Sequence, residues 1–324
     1  MNGAPSEPAK HFLPALIGDG LPLLSLTAIA LILSGGFALF LSATGSFLPQ
    51  DVDFLGMQPP QLCAINQCRV VHFMFHDRVS FGGVLIAIGT LYLWLTHFAL
   101  RQGEEWGWWL FAISGSTGFG SFLCYLRYGY LDTWHGAATL ALLPCFLIGM
   151  WKTRSLLSGS SQGIRSLIRP SVSLEWKTRR GLGRLCLLLT GLGMIGAGSV
   201  IMTVGMTSVF VPQDLQYLGL RAGDLYAINP RLVPLIAHDR AGFGGGLISC
   251  GLLVLLIVWK ARMTPALWQA LLIAGVSGFG CAIGVHFPIG YMNPIHLAPA
   301  WAGAVLFVTG ILLSAPSSNP RHFG

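Results

Sequence analysis

Long apolar runs are the feature that most constrains how this chain can fold. Eight stretches are long enough to cross a membrane: Leu21 to Leu41, Val79 to Phe98, Trp108 to Tyr125, Thr133 to Trp151, Leu182 to Val209, Ala241 to Trp259, Leu267 to Val285 and Pro294 to Leu313. A crossing helix needs about 20 mostly apolar residues. Of the 324 residues, 53% are apolar and only 10% are charged, against about 25% charged residues in soluble domains. The runs lack the alternation of barrel strands, so we expect an all-α integral membrane protein with eight transmembrane helices.

The chain also contains one sequence pattern twice. Residues 47–83 and residues 210–245 both contain Pro-Gln-Asp, Leu-Gly, Ala-Ile-Asn, Arg and His-Asp-Arg-x-x-Phe-Gly-Gly in this order. Gly-Phe-Gly, Gly-Tyr and a histidine follow in both copies. Because four crossings return the chain to its starting side, both copies have the same orientation. The sequence predicts two tandem four-helix bundles in a parallel 4+4 repeat, with a first repeat at residues 1–155, a basic linker at 156–180 and a second repeat at 181–324.

Basic residues predict the orientation in the membrane. Short loops rich in Lys and Arg stay on the cytoplasmic side. The region between the repeats has a single acid, Glu175, and these basic residues: Lys152, Arg154, Arg165, Arg169, Lys177, Arg179, Arg180 and Arg184. We therefore expect a multi-pass protein of a bacterial plasma membrane with both termini in the cytoplasm. The net charge of +7 follows from this topology, so membrane lipid is the expected partner and nucleic acid is not.

Four histidines occupy equivalent positions in the two repeats: His76, His135, His238 and His296. Each lies near the outer start of an even-numbered span, which places all four at one membrane depth. Ionisable groups within a membrane are costly and normally face the protein interior. Residues i, i+4 and i+7 share a helical face, and below His76 and His238 these positions carry Ser80, Gly83, Gly242 and Gly245. We therefore expect a bare strip of small side chains beneath each of these two histidines.

Two facing histidines above small side chains leave room for a flat ligand between helices. Imidazole is a common axial ligand of haem iron. The sequence therefore predicts one b-type haem per repeat, with His76 and His135 as iron ligands in the first repeat and His238 and His296 in the second.

The arginines of the two His-Asp-Arg motifs allow two interpretations. Arg78 and Arg240 could hold haem propionates. In the architectural alternative they pair with Asp77 and Asp239 or with lipid phosphates, and each motif forms a buried knot of ion pairs and hydrogen bonds. His286 has no counterpart in the first repeat, so we interpret it as a histidine with a structural or interfacial role.

Cys63 and Cys68 are the two cysteines that we place outside the apolar stretches. Their loop is expected on the outer face, where oxidation is permitted. The spacing predicts a local disulfide that acts as a loop staple; redox chemistry is the alternative, although the spacing differs from the redox Cys-x-x-Cys pattern.

In this layout the chain resembles haem A synthase. The resemblance covers the whole chain in topology, and at motif level it rests on the four repeated histidines together with Cys63 and Cys68. In that family one half holds a structural haem b and the other half handles the haem whose methyl group is oxidised. A glutamate three residues before the histidine of the second helix belongs to that family's active site, but Phe73 and Leu235 occupy the equivalent positions here. The resemblance therefore implies haem binding rather than methyl oxidation.

We therefore expect a membrane protein that binds b-type haem near the outer face and has a redox or haem-processing role, with a membrane redox partner or a larger complex around it. Two alternatives remain. A non-catalytic subunit or scaffold would dock a partner through the repeated outer loops, Pro49 to Arg69 and Pro212 to Arg231, which keep more identity than several helices. A transporter would use the repeat and the intramembrane charge pairs.

Overall fold

The computed structural model describes residues 17–121, 130, 133–157, 162–170, 175 and 177–316, except the side chains of residues 134 and 135. All regular structure in these ranges is helical. The helices are α1 (Leu21–Ala43), α2 (Pro49–Leu55), α3 (Pro59–Asn66), α4 (Arg69–Trp94), α5 (Glu105–Ser121), α6 (Thr133–Thr153), α7 (Arg179–Met206), α8 (Pro212–Leu218), α9 (Ala222–Ile228), α10 (Leu232–Lys260), α11 (Pro265–Gly284), α12 (His286–Ile289) and α13 (Pro294–Leu313). Short π and 3-10 turns at Leu95–Ala99 and Leu100–Gln102 continue α4, and others follow at Arg154–Leu156 and Gly163–Leu167.

Seven helical segments in the described ranges are long and apolar enough to cross a membrane: Leu21–Ala43, Arg69–Gln102, Gly136–Leu156, Arg179–Met206, Leu232–Lys260, Pro265–Ile289 and Pro294–Leu313. The all-α class is thus confirmed, and the seven spans are those of a multi-pass membrane protein. The remaining expected span, Trp108 to Tyr125, corresponds to α5, whose described part ends at Ser121.

The repeated Pro-Gln-Asp and Leu-Gly motifs encode two short helices with matching caps. In α2, the Asp51 carboxylate accepts a hydrogen bond from the N–H of Leu48 (3.2 Å), and the helix ends at Gly56 with φ +65°. In α8, Asp214 accepts from the N–H of Val211 (2.8 Å). Proline at the first turn, an acid near the N-terminus and a left-handed glycine at the C-terminus are standard start and stop signals. The motif therefore forms a short capped helix at one end of the bundle.

The repeated asparagines join these short helices across the two repeats. Asn66, at the end of α3, donates to the carbonyl of Leu218 in α8 (3.1 Å). Asn229, after α9, donates to the carbonyl of Leu55 in α2 (2.7 Å). Arg69 and Arg231 make the same crossed contacts: Arg69 donates to the carbonyl of Tyr217, and Arg231 donates to the carbonyl of Phe54. We call this end of the molecule, formed by α2, α3, α8 and α9, the short-helix end.

The predicted disulfide is confirmed at the short-helix end. Cys63 and Cys68 are bonded, with an S–S distance of 2.10 Å. The chain between α3 and α4 bends through Gln67 (φ +47°) and Cys68 (φ +61°), which brings the two Cα atoms to 3.7 Å. The bridge thus closes the turn that leads into α4, as a loop staple does.

The long helices of the two predicted repeats interlock rather than pack as two separate bundles. The central helices are α4 and α10, which pack on each other; α4 also contacts α1 and α11, and α10 also contacts α7 and α5. In the apolar windows of these two helices, 67% and 72% of residues are buried, against 33% or less in the other candidate spans. Helix α11 of the second half therefore packs against α4 of the first half.

Close approach of α4 to α11 depends on Gly83. A Cβ atom at this position would lie 2.5 Å from the carbonyl oxygen of Ser277 and 2.6 Å from the Cβ of Cys281. We expected a bare strip of small side chains beneath His76. This expectation is wrong at Gly83, because α11 covers that position. Small residues that let backbones approach closely are typical of membrane helix interfaces.

We predict that Gly83→Leu destabilises the protein by about 1–3 kcal/mol, the usual cost of overpacking, because the added side chain would clash with backbone and Cβ atoms of α11. Gly36→Leu is the matched control, since a Cβ atom added to Gly36 in α1 has nothing within 4 Å. Thermal unfolding in detergent should show a lower midpoint for the first variant only. Equal midpoints for the two variants would contradict the close packing of α4 on α11.

Candidate functional site

Buried arginine and aspartate side chains connect the two repeats inside the protein. The Nε atom of Arg78, on α4, lies 2.8 Å from Oδ2 of Asp239, on α10. Its Nη1 atom lies 2.7 Å from Oδ2 of Asp51, on α2. Arg78 thus bridges a carboxylate of its own repeat and a carboxylate of the other repeat.

The second repeat makes the equivalent contacts. Nε of Arg240 lies 3.1 Å from Oδ2 of Asp77, and Nη1 lies 2.7 Å from Oδ2 of Asp214. Arg240 also donates to the carbonyl of Val209 (2.7 Å). All three charged side chains are at most 6% exposed.

These contacts agree with the architectural interpretation of the His-Asp-Arg motif, with one correction. Arg78 and Arg240 do not pair with the aspartates next to them in sequence. Each pairs with the aspartate of the opposite motif, because α4 and α10 lie side by side and present their motifs to each other. Both guanidinium groups already bind two carboxylates, which leaves the propionate interpretation without support from their geometry.

Two tyrosines complete the same networks. The hydroxyl of Tyr130 donates to Oδ1 of Asp51 (2.5 Å), and that of Tyr291 donates to Oδ1 of Asp214 (2.7 Å). Burial and the neighbouring Asp214 carboxylate raise the pKa of Tyr291, so its hydroxyl stays protonated and remains a donor. The repeated Gly-Tyr pair was the sequence signal for these residues, but sequence analysis assigned them no role.

The network around Arg240 has an excess of negative charge. One guanidinium faces two carboxylates, those of Asp77 and Asp214, which gives a formal charge of −1. A buried net charge is costly unless an opposite charge is close. The surroundings of this network therefore favour a cation.

His76 connects this network to a cluster of imidazoles. Its Nδ1 atom lies 3.0 Å from Oδ1 of Asp77, and its Nε2 atom lies 3.0 Å from Nε2 of His286. When Asp77 accepts a hydrogen bond from the Nδ1–H of His76, the lone pair of Nε2 points towards His286. Metal-binding histidines are oriented by carboxylates in this way.

His76, His286 and His296 form the cluster, which we call the histidine trio. One ligand atom of each residue lies within 4.8 Å of the others. The ring centroid of His296 is 5.5 Å from that of His76 and 5.3 Å from that of His286. Nitrogen ligands bound at about 2.0–2.1 Å to one tetrahedral ion lie roughly 3.3 Å apart, so small side-chain shifts suffice for all three to share an ion.

The trio differs from the predicted histidine pairs. His296 lies next to His76 of the other repeat, whereas we expected it to pair with His238. The physical reason is the interlocked packing, which brings α4 against α11 and the following α12. His238 contacts Asp239 (3.1 Å) and the ring of Tyr130 (5.0 Å between centroids). The side chain of His135 lies outside the described residues.

Sequence analysis missed His286. It lacks a counterpart in the first repeat, so comparison of the two copies excluded it. Its position at the end of the span Leu267 to Val285, close in the chain to His296, was the only available signal. In the structure it begins the short helix α12 and is 3% exposed.

The histidine trio lies at one end of a cavity of about 620 Å³ between α4, α7, α10, α11 and α13. Ser80, Val84 and Ala87 of α4 line it below His76. Polar or charged lining residues gather at the trio end: His76, Asp77, Ser80, Gln213, Arg240, His286 and His296. Apart from Thr190, the remaining lining residues are glycine, proline, cysteine or apolar residues. The cavity therefore has a polar head and an apolar body.

The chain matches no protein-family model, and comparisons with characterised proteins and with solved structures found no significant match. The resemblance to haem A synthase stays a prediction that rests on the histidine layout and the two cysteines.

We predict that Asp239→Asn lowers the free energy of unfolding by about 1.5–3 kcal/mol, because it removes the charged hydrogen bond from Arg78 while Asp51 still neutralises the guanidinium. Asp224→Asn is the control, since Asp224 pairs with Arg221 at the exposed surface and should tolerate the same chemical change. Thermal unfolding of both variants in detergent, without added denaturant, measures the difference in unfolding midpoint. A wild-type midpoint for Asp239→Asn would show that the crossed ion pair is dispensable.

Proposed function

We propose that this protein is a multi-pass membrane metalloprotein in which the histidine trio binds one transition-metal ion. The convergence of His76, His286 and His296 within 4.8 Å at the polar head of the cavity is the observation that supports this proposal. The Asp77 carboxylate behind His76 and the formal charge of −1 on the neighbouring network favour a cation at the same place.

The ligand set narrows the choice of metal and of chemistry. Imidazole nitrogens suit zinc, copper, iron and nickel, and three histidines form a known catalytic ligand set for zinc. Three protein ligands leave a coordination position open for water or substrate. All three histidines line the cavity, so a molecule bound there would lie next to a metal that they hold. A redox or Lewis-acid reaction on a ligand in the cavity is the function that this arrangement supports best.

The proposal includes the membrane arrangement expected from the sequence. In it, α5 and the residues after it form an eighth span, the two halves are a parallel 4+4 repeat, and the short-helix end faces the outside. The basic segment between the halves and both termini then lie in the cytoplasm of a bacterial cell. The distribution of Lys and Arg in the sequence supports this orientation.

Haem b is the second candidate for the cofactor, with a membrane redox protein as its partner. The cavity volume of about 620 Å³ and its apolar body favour it. His296, which the sequence predicts as a haem ligand, would hold the haem together with His76 or His286, and the haem would supply redox chemistry at the polar head of the cavity.

Metal analysis of the purified protein tests the trio. We expect about one metal ion per chain in the wild type, and less than ~10% of that in His76→Ala, His286→Ala or His296→Ala, because each removes a direct ligand. His97→Ala is the matched control, since His97 is exposed near the opposite end of α4 and contacts Ser25. Elemental mass spectrometry gives the ratios. Unchanged metal content in His286→Ala would rule out the trio as the site.

A visible spectrum of the same preparation separates the two cofactors. If the trio binds a single metal ion, we expect no porphyrin bands in the reduced-minus-oxidised spectrum. Sharp b-type bands, at one haem per chain and lost in His296→Ala, would instead establish the haem candidate. A folded, colourless and metal-free protein would overturn both assignments.

A further inference from the structure

Helices α7 and α13 both line the cavity. Near the start of α7 and the end of α13 the two helices touch: a Cβ on Gly310 would lie 2.7 Å from Cγ of Leu187, and one on Gly183 would lie 2.9 Å from Cβ of Leu313. Towards the short-helix end, Val200 on α7 and Ile295 on α13 line the cavity and are 62% and 70% exposed. The two helices thus pack tightly at one end and leave cavity-lining side chains exposed at the other, and we call this part of the pair the wedge.

Glycines on the cavity wall show how open this space is. A Cβ atom on Gly193 of α7 or on Gly278 of α11 would have nothing within 4 Å, although both residues line the cavity. By contrast, Gly275, one turn along α11 from Gly278, lies against the ring of Phe307. The open space therefore lies between the histidine trio and the ring of Phe307.

The length of the cavity is comparable to one leaflet of a membrane. On α4 its lining extends from His76 to Ala87, eleven residues apart, on α13 from Ile295 to Phe307, twelve residues apart, and on α7 from Leu189 to Val204, fifteen residues apart. At about 1.5 Å per residue these distances are roughly 16 to 22 Å, somewhat more than half of a ~30 Å hydrocarbon core. A single hydrocarbon chain from the leaflet at the short-helix end fits this length, with its polar head at the histidine trio.

The charges around the head select the chemistry of the group that reaches the metal. The Arg240, Asp77 and Asp214 network has a formal charge of −1, and a divalent ion on three neutral imidazoles adds +2. The sum is +1, which one anionic oxygen ligand neutralises. Carboxylates are common ligands for metals that also bind imidazole. Arg240 itself is not free to bind the head, because it already bridges two carboxylates.

We infer that the cavity binds a long-chain monocarboxylate, which enters sideways from the membrane through the wedge between α7 and α13. Its carboxylate oxygen occupies the open position at the histidine trio, and its hydrocarbon chain lies along α4, α7 and α13. The inference rests on the proposed metal site for recognition of the head and on the cavity for recognition of the tail.

Variants that fill the cavity test the inference. Gly193→Leu and Gly278→Leu place a side chain in the tail space, whereas Gly196→Leu and Gly280→Leu are matched controls on the same helices. A Cβ atom on either control glycine would also have nothing within 4 Å, but neither glycine lines the cavity. Native mass spectrometry of the full-length protein, released from detergent after incubation with dodecanoic acid, counts bound molecules per chain.

We expect wild type and the two controls to retain one dodecanoate, and the two cavity variants to lose it by about tenfold or more, as expected when a preformed pocket is filled. Dodecanol, with the same tail and no charge, should bind at least about tenfold more weakly than dodecanoate, because it cannot neutralise the excess charge. Equal retention in Gly193→Leu and Gly196→Leu would overturn the assignment of the cavity. Preference for dodecanol, or for a benzoquinone with a decyl tail, would overturn the carboxylate.

The same samples separate this inference from the proposed function. Elemental analysis of the wild type reports whether the trio binds metal, independently of any lipid. A metal-loaded protein that binds no dodecanoate contradicts only the lipid inference. A metal-free protein contradicts the metal site and, with it, the recognition of the carboxylate head.

Discussion

A charged side chain buried in an apolar protein needs an opposite charge, and here each central arginine finds it on the other repeat. Arg78 reaches Asp239, and Arg240 reaches Asp77, while Asp51 or Asp214 provides the second carboxylate in each case. Unpaired, any of these groups would cost several kcal/mol inside the protein. The exchange therefore holds α4 against α10, and the remaining helices pack around this central pair.

The same exchange places the candidate site. Asp77 binds Arg240 through one oxygen and His76 through the other, so the ion pair also fixes the orientation of the imidazole. Because α11 and α12 pack on α4, His286 meets His76, and α13 adds His296. A structural knot of ion pairs and a candidate metal centre are thus parts of one network.

The second half of the molecule shows how a duplicated chain acquires an asymmetric site. His238 repeats the contact of His76 with its aspartate, but His286 has no counterpart in the first half. His286 adds a third imidazole next to His76 and His296, which come from different repeats. The cavity beside the trio has a polar head and an apolar body.

Much of the fold could be predicted from local sequence, since apolar length, capping motifs and basic loops each act over a few residues. The apolar runs gave the long helices, Pro-Gln-Asp and Leu-Gly gave α2 and α8, and the spacing of Cys63 and Cys68 gave the disulfide. The sequence also predicted that the repeated histidines face the protein interior, and His76 and His238 are buried. The identity of the partners was not predictable, because it depends on how α4, α10 and α11 cross.

Gly83 illustrates the difference between these two levels. From sequence it was one position in a bare strip beneath His76, yet the packing of α11 covers it and moves the open space to the side lined by Ser80 and Gly193. The sequence by itself determined a helical membrane protein with duplicated polar motifs, because hydrophobicity and capping are local properties. Only the tertiary structure decided which histidines meet and where the cavity lies, because both follow from contacts between residues about 200 positions apart, such as His76 and His286, separated by 210.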